Sequence, residues 1–409
     1  MEINLKYGNG IVNLSLPERA DAFKSDELIS QFDPENFYRE FLQKIINRNL
    51  HAKKVAIVVA DKSRRCNYPV LLPLIVKALR KTEVKNKDIR FFIAYGTHAS
   101  QTESESLATY GDVFREYRFV HHSTNETTRY KDLGRTNRGT LIEIREDIFE
   151  HDLIVTIGAI SFHYFAGFGG GRKLLFPGLA SKNAILNNHR LFLDTQSKQL
   201  HAACRPGNLE DNPIAEDLKE IAGMLPKHIE IHGLMNENGA LIDTLIGEEY
   251  VDFEKACIIH KKNFRVNDNK KYDVVIASAG GFPKDINFIQ AHKAIHHASL
   301  FAKEGGKIIV LAECCDGIGS ESFLEHFRHE YKDAFDEINS NYTGNGGTAL
   351  SLMEKSRKFK IFLLTSLEEK HCLQTGIKKL ATASAIADHF TNTSESVLIM
   401  QNPTGYIPV

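Results

Sequence analysis

Long apolar runs are missing from this chain, and with no 18-residue hydrophobic stretch a protein built on membrane-spanning helices is excluded. A surplus of either charge is missing too. The 51 Lys plus Arg against 52 Asp plus Glu give a net charge of -1, so no global field draws the protein to nucleic acid or an anionic membrane, and neither is expected as a partner. Cysteine is scarce, and its copies at 66, 204, 257, 314, 315 and 372 form no CxxC pair or framework spacing. That excludes a zinc knuckle or a disulfide scaffold and points to a reducing compartment. Proline, at 11 residues against 28 Gly, is too rare for a disordered or fibrous chain. The opening MEINLKYGNG has no basic stretch followed by an apolar core, so a cytoplasmic location is expected, and the glycosylation pattern Asn392-Thr-Ser is read as a chance match.

What is present is length and histidine. At 409 residues the chain is long enough for two or three domains, and its 18 histidines prompt the question of which ones cluster around glycines. Alternating Ile3, Leu5, Tyr7 and Val12, Leu14, Leu16 around Gly8-Asn9-Gly10 predict a β-hairpin, and residues 35–50 carry apolar positions at helical spacing. Strand-like 54–60, amphipathic LLPLIVKALRK, then strand-like 89–95 and 152–158 predict a parallel sheet. The charged KKNFRVNDNKK within 250–271 marks a domain boundary, which assigns 1–265 to an N-terminal domain and 266–409 to a C-terminal one. A second series follows, with strands at 272–281, 305–314, 358–366 and 396–400 and helices near 290–303 and 375–389. The fold class is therefore α/β: two doubly wound, Rossmann-like domains, with the active site expected in a cleft between them.

Ligands of open α/β sheets bind beyond the C-terminal ends of the strands, so the residues that follow each strand are the ones that carry chemistry. There stand Asp61-Lys62-Ser63-Arg64-Arg65 and Gly96-Thr97-His98. Asp61 and Arg64 form either a structural ion pair or a site in which the guanidinium clamps a carboxylate or phosphate. His98 is either an acid/base group or incidental, and His121-His122 are neighbours of lesser weight. The densest signal is Ser161-Phe-His163-Tyr-Phe-Ala-Gly-Phe-Gly169-Gly170-Gly171-Arg172-Lys173. Its glycines can bring backbone N–H groups to an anion while Arg172 and Lys173 add charge, yet it matches neither the dinucleotide fingerprint nor the phosphate loop. A nucleotide-like cofactor is expected there, with a flexible surface loop as the alternative. His163 and His189 each suit an acid/base group, a metal ligand or a buried imidazole. Gln290 and Lys293 stand three apart, on one face if helical, and Asp316-Gly-Ile-Gly-Ser is a weak anion-binding signal.

Taken together, Asp61-x-x-Arg64, Gly96-Thr-His98, His163 with AGFGGGRK ending at Lys173, His189, and Gln290-x-x-Lys293 resemble the nickel-dependent lactate racemase family and its 2-hydroxyacid epimerase relatives. The resemblance implies a nickel-pincer nucleotide, pyridinium-3,5-bisthiocarboxylic acid mononucleotide, linked covalently to Lys173, with His189 as the protein's ligand to nickel. It implies further that Gly169, Gly170, Gly171, Arg172 and Asp61 adjoin that cofactor, and that His98 and His163 are the two acid/base groups. Arg64, Gln290 and Lys293 would bind the carboxylate of a small 2-hydroxyacid, and accessory proteins would assemble the cofactor. Lactate-specific members have a proline after the matching arginine and an aromatic hydroxyl before the matching glutamine, where this chain has Arg65 and Ile289. That departure implies a larger or more polar substrate, such as a sugar acid. A nicotinamide-dependent oxidoreductase and a non-catalytic carrier of nickel or nucleotide are the competing readings, and the glycine pattern and the retention of both histidines argue against them.

Overall fold

A computed structural model describes residues 2–15, 20–23, 32–48, 52–125, 127–266, 269–390 and 394–408, so the Asn392 match lies outside the described residues. Two compact units form. One comprises Asp26–His189 with Gly207–Lys262, and the other Met1–Ser25, Arg190–Pro206 and Asn263–Val409. The N-terminal hairpin and the Arg190–Pro206 segment thus join the unit that holds the C-terminal part of the chain. The charged stretch read as a boundary begins as the end of a helix, Tyr250–Phe264.

In the first unit the strand Val55–Ala60 is buried at all six positions, as the near-continuous Val/Ile/Ala run of a strand covered on both faces should be. The sheet runs in the order Leu241–Gly247, Ile229–Met235, Leu153–Ala159, Val55–Ala60, Ile89–Ala94, Arg118–His121, all parallel except for the first of these, which is an antiparallel edge strand. From Val55–Ala60 the chain winds outward to Ile89–Ala94 and Arg118–His121, then returns to Leu153–Ala159 and winds the other way. The winding direction therefore reverses between Val55–Ala60 and Leu153–Ala159, and the crevice beyond their C-terminal ends is the natural ligand position.

One tyrosine holds that divergence. The helix Tyr68–Lys81 presents Tyr68, Leu71, Leu72, Ile75 and Leu79 to the interior at helical spacing. The fully buried Tyr68 hydroxyl accepts from Ala60 N at 2.7 Å and donates to Ile157 O at 3.0 Å, spanning both central strands. Tyr110 Oη donates to Ala60 O at 2.9 Å, so the backbone polar groups of the last strand residue both end on tyrosine hydroxyls.

The second unit carries a parallel sheet in the order Lys378–Leu380, Lys360–Leu364, Ala302–Leu311, Tyr272–Ser278, Val397–Met400, Asp21–Ala22. The expected hairpin is there as Glu2–Tyr7 paired with Gly10–Ser15, and its Leu5 and Leu14 pack against Val274, Ile276, Ile309 and Leu311. Leu193, from the Arg190–Pro206 segment, packs on Tyr331, Phe335, Ile338 and Met353. Two α/β units with parallel sheets are thus the architecture expected. The helix expected over 375–389 is not formed: the helix Glu369–Gln374 stops before Gly376 at φ +73°, Lys378–Leu380 joins the sheet, and Ala383–His389 is a 3-10 segment. The helix expected near 290–303 is Phe288–Ser299, because the chain enters the strand Ala302–Leu311 directly. The Asp316 segment leads into Glu321–Glu325, a helix of a single turn.

Tyr68→Phe removes the hydroxyl and leaves the buried Ala60 N–H unpaired. It is expected to cost about 1–3 kcal/mol of unfolding free energy, read as a lower urea midpoint with an unchanged denaturant slope.

Candidate functional site

The first polar residue after Val55–Ala60 is Asp61, 3% exposed, and its carboxylate organises the turn that follows. Its Oδ1 accepts from Ser63 N at 2.7 Å and Ser63 Oγ at 2.5 Å, while its Oδ2 lies 2.8 Å from His98 Nδ1 and 4.0 Å from Arg64 Nη1. Burial by itself would raise the Asp61 pKa. The His98 hydrogen bond, the Arg64 guanidinium, the His98 charge and the Ser63 hydroxyl outweigh it, and the group is held below the usual carboxylate range. Asp61 is therefore an anion that can only accept, so His98 donates to it through Nδ1, and whenever that ring is neutral its lone pair stands on Nε2. The two strand exits brace each other: Lys62 N donates to Gln101 Oε1 at 2.9 Å, and Lys62 Nζ pairs with Glu105, the capping-box residue of the helix Glu103–Tyr110.

Beyond Leu153–Ala159 the chain folds into a small hairpin, Ser161–His163 against Gly167–Gly169. His163 Nδ1 accepts from Ala166 N at 3.3 Å, which leaves Nε2 as the protonated nitrogen of the neutral ring. The two imidazoles thus present opposite character, a lone pair on His98 and an N–H on His163. Gly170 has φ +79°, and a Cβ there would stand 2.5 Å from Ala159 O, so the hairpin returns against its own strand only because that residue is glycine. The Gly171–Leu174 3-10 turn follows and carries Lys173.

Phe165 ties the groups together. Its ring lies 4.5 Å from the His163 ring and 5.1 Å from the His189 ring, edge to face in both cases, and Lys173 Nζ lies 5.8 Å from its centroid. His189 is half-buried on the helix Lys182–Arg190. Burial, and then the Lys173 ammonium, the His98 ring in its protonated form and the Arg64 guanidinium, push its pKa down to about 3, so the ring is neutral at physiological pH and offers a lone pair.

His98, His163, Lys173, His189, Arg64, Gly169 and Gly170 line one cavity, together with Tyr95, Pro177 and Ile185. Asp61 stands behind His98. Gly171 and Arg172, expected to adjoin the cofactor, are not among the residues that line this cavity, and both are buried. Arg172 is 2% exposed; its guanidinium lies 4.7 Å from the Phe253 ring and 5.3 Å from the Tyr250 ring and donates to Tyr250 Oη. Of its fork only Nη1 finds a hydrogen-bond partner among the described residues, and the planar cation stacks on two aromatics inside the protein. Gln290 and Lys293 lie in the other unit, on the helix Phe288–Ser299, where Lys293 Nζ donates to Gln290 Oε1 at 2.5 Å. His121 Nδ1 bonds Tyr95 Oη at 2.9 Å, and His122 Nε2 bonds Ala180 O at 3.1 Å.

Sequence reasoning missed Phe165, Asn188, Asn212 and Asp217. Asn212-Pro213 is a helix-start signal, and Asp217 sits among Ile214, Leu218 and Ile221 on the apolar stripe of the helix Pro213–Met224, where a charge is out of place. Either feature was there to be read. Among the described residues no three His, Cys, Asp or Glu side chains gather as a metal cage, and no helix is long and apolar enough to cross a membrane.

Comparison with known proteins gives the chain a family context. Residues 7–200 match the family model of the lactate racemase N-terminal domain, and residues 267–402 that of the lactate racemase C-terminal domain. A lactate racemase of Thermoanaerobacterium thermosaccharolyticum is 29% identical over 367 residues, covering 87% of this chain and 84% of the relative. A lactate racemase of Lactiplantibacillus plantarum is 31% identical over 274 residues, 66% of this chain and 63% of the relative. The solved lactate racemase apoprotein from T. thermosaccharolyticum superposes with a TM-score of 0.86 at 25% identity over the full length of both chains. A Thermotoga maritima protein shares the fold, with a TM-score of 0.72 at 17% identity over 95% of this chain and all of that one.

Because the folded-state pKa of Asp61 is depressed, its ionisation stabilises the fold above the ordinary carboxylate pKa, and that contribution is lost as pH falls toward the folded value. Urea midpoints of wild type and Asp61→Asn are expected to differ more at pH 7 than at pH 3.

Proposed function

Because this chain belongs to the lactate racemase family, we propose that it is a racemase or epimerase that inverts the hydroxyl-bearing C2 of a 2-hydroxyacid. The observation that carries this reading is the pair of imidazoles lining one cavity with opposite Nδ1 partners, an acceptor (Asp61) at His98 and a donor (Ala166 N–H) at His163, so that their neutral rings take complementary tautomers. A cycle in which one ring takes the hydroxyl proton and the other returns a proton needs the two to begin in different states. Asp61 keeps His98 in the accepting tautomer and stabilises the imidazolium that forms when the proton arrives. The Ala166 N–H bond to Nδ1 does the converse for His163.

Inversion at C2 also needs a temporary home for hydride, and the resemblance implies a nickel-pincer nucleotide. The residues present fit such a group. Lys173 and a neutral His189 line the same cavity, and Gly169 and Gly170 bring no side chain into it. Lys173 would hold the nucleotide covalently, and His189 would be the protein's ligand to nickel, the remaining donors coming from the two sulfurs and one carbon of the nucleotide. When bound, the group supplies a reversible hydride acceptor beside the substrate carbon. Its assembly calls for accessory proteins.

Arg64 lines the cavity with a planar fork of donors suited to a carboxylate, and Gln290 and Lys293 carry over from the resemblance as further carboxylate contacts. Arg65 is exposed on the turn after Arg64, where lactate-specific members have a proline. That cation, together with the absence at Ile289 of the hydroxyl contact of lactate-specific members, favours a substrate larger and more polar than lactate, such as a sugar acid.

Protein purified from a host that makes the cofactor is expected to carry about one nickel per chain and a nucleotide-sized adduct on the Lys173 peptide, and to interconvert the C2 epimers of a 2-hydroxyacid. An unmodified Lys173 without nickel, in a host with confirmed cofactor synthesis, overturns the cofactor assignment. His98→Gln and His163→Gln are each expected to lower kcat by about a hundredfold or more, measured by chiral chromatography on the loaded enzyme.

A further inference from the structure

The loop that carries His163 and the helix that carries His189 come from different stretches of chain, and both are fastened to the helix Pro213–Met224, none of whose described residues lines the cavity. At its start Asn212, fully buried, uses its amide in two directions. Its Oδ1 caps the helix, accepting from Ile214 N and Ala215 N at 3.1 Å each. Its Nδ2 donates to Phe165 O at 2.9 Å and to Asn208 O at 3.1 Å. Phe165 is the residue whose ring meets both His163 and His189.

Five residues on, Asp217 is likewise fully buried among the apolar side chains of the same face. Its Oδ2 accepts from Asn188 Nδ2 at 2.8 Å, and its Oδ1 accepts from Thr136 Oγ1 at 2.6 Å. Asn188 immediately precedes His189 in the helix Lys182–Arg190. A carboxylate removed from water is expensive, and an apolar side chain would pack at this position at lower cost, so its use here reflects the directional bonds it makes.

We infer that Asn212 and Asp217 are positioning residues: one helix, bolted to Phe165 at its cap and to Asn188 in its interior, sets the His163 and His189 rings relative to each other. The consequence for turnover rests on the racemase reading. A misplacement of a fraction of an ångström between the two rings is felt in kcat, while substrate affinity, carried by cationic groups elsewhere, is spared.

The decisive variant is Asn212→Ser, which keeps a good capping oxygen but loses the amide that donates to Phe165 O. In the loaded enzyme kcat is expected to fall about tenfold with KM nearly unchanged. In the unloaded protein the ring-proton resonances of His163 and His189, which carry the ring-current shift of Phe165, should move together at fixed pH. Asn188→Asp, which sets two carboxylates against each other, should be the more damaging change. The pair Asn188→Asp with Asp217→Asn rebuilds the hydrogen bond with donor and acceptor exchanged and is expected to restore kcat to within about threefold of wild type. Unmoved histidine resonances in Asn212→Ser, or a double variant no better than Asn188→Asp alone, overturn the inference. Should loaded wild-type protein epimerise no 2-hydroxyacid, the racemase reading falls, and the resonances of the unloaded protein still decide whether the helix positions the two rings.

Discussion

The Tyr68 hydroxyl, accepting from Ala60 N and donating to Ile157 O, is the contact on which the arrangement of the site depends. Two parallel strands that hydrogen-bond along their length must part at their C-terminal ends if the chains beyond are to diverge, and parting leaves backbone groups without partners in a buried place. A phenolic oxygen that can accept from one strand and donate to the other resolves this locally. It also fixes where the strands separate, directly before Asp61 on one side and before the Ser161–His163 hairpin on the other.

From that divergence the chemistry follows by a sequence of constraints, each of short range. Asp61 remains ionised because His98, Arg64 and Ser63 surround it, and an ionised Asp61 dictates the tautomer of His98. The hairpin that carries His163 can return to the strand end only through a glycine at position 170. Phe165 fills the space between His163, His189 and Lys173, so three polar groups from two segments share one apolar wall. In such a wall His189 stays neutral, the state in which an imidazole can donate a lone pair.

Much of this was legible beforehand, and the reasons differ from element to element. The Val55–Ala60 and Leu153–Ala159 strands announce themselves because strands buried on both faces need unbroken runs of small and branched apolar residues. His98, His163, Lys173 and His189 stand out because polar residues at strand exits and beside glycines have few structural reasons to be there. Arg172 illustrates the opposite case. Next to Lys173 it looks like a second charge for an anion, yet adjacent residues in a 3-10 turn point to different sides, and its side chain enters the stack of Phe253 and Tyr250. The helix expected over 375–389 failed for a comparable reason: Gly376 and the open edge of a sheet offered the chain a better use of its hydrogen bonds.

What the sequence by itself determined is the kind of chemistry and the class of fold, because both depend on local pattern: strand periods, glycines, and titratable residues at the ends of strands. The tertiary structure alone decided which group meets Nδ1 of the His98 and His163 rings, that Arg172 faces inward, and that Asn212 and Asp217 bond residues far from them in the chain. Those matters turn on partners brought together across tens of residues, and a hydrogen bond between distant groups leaves no periodicity in the sequence from which it could be read.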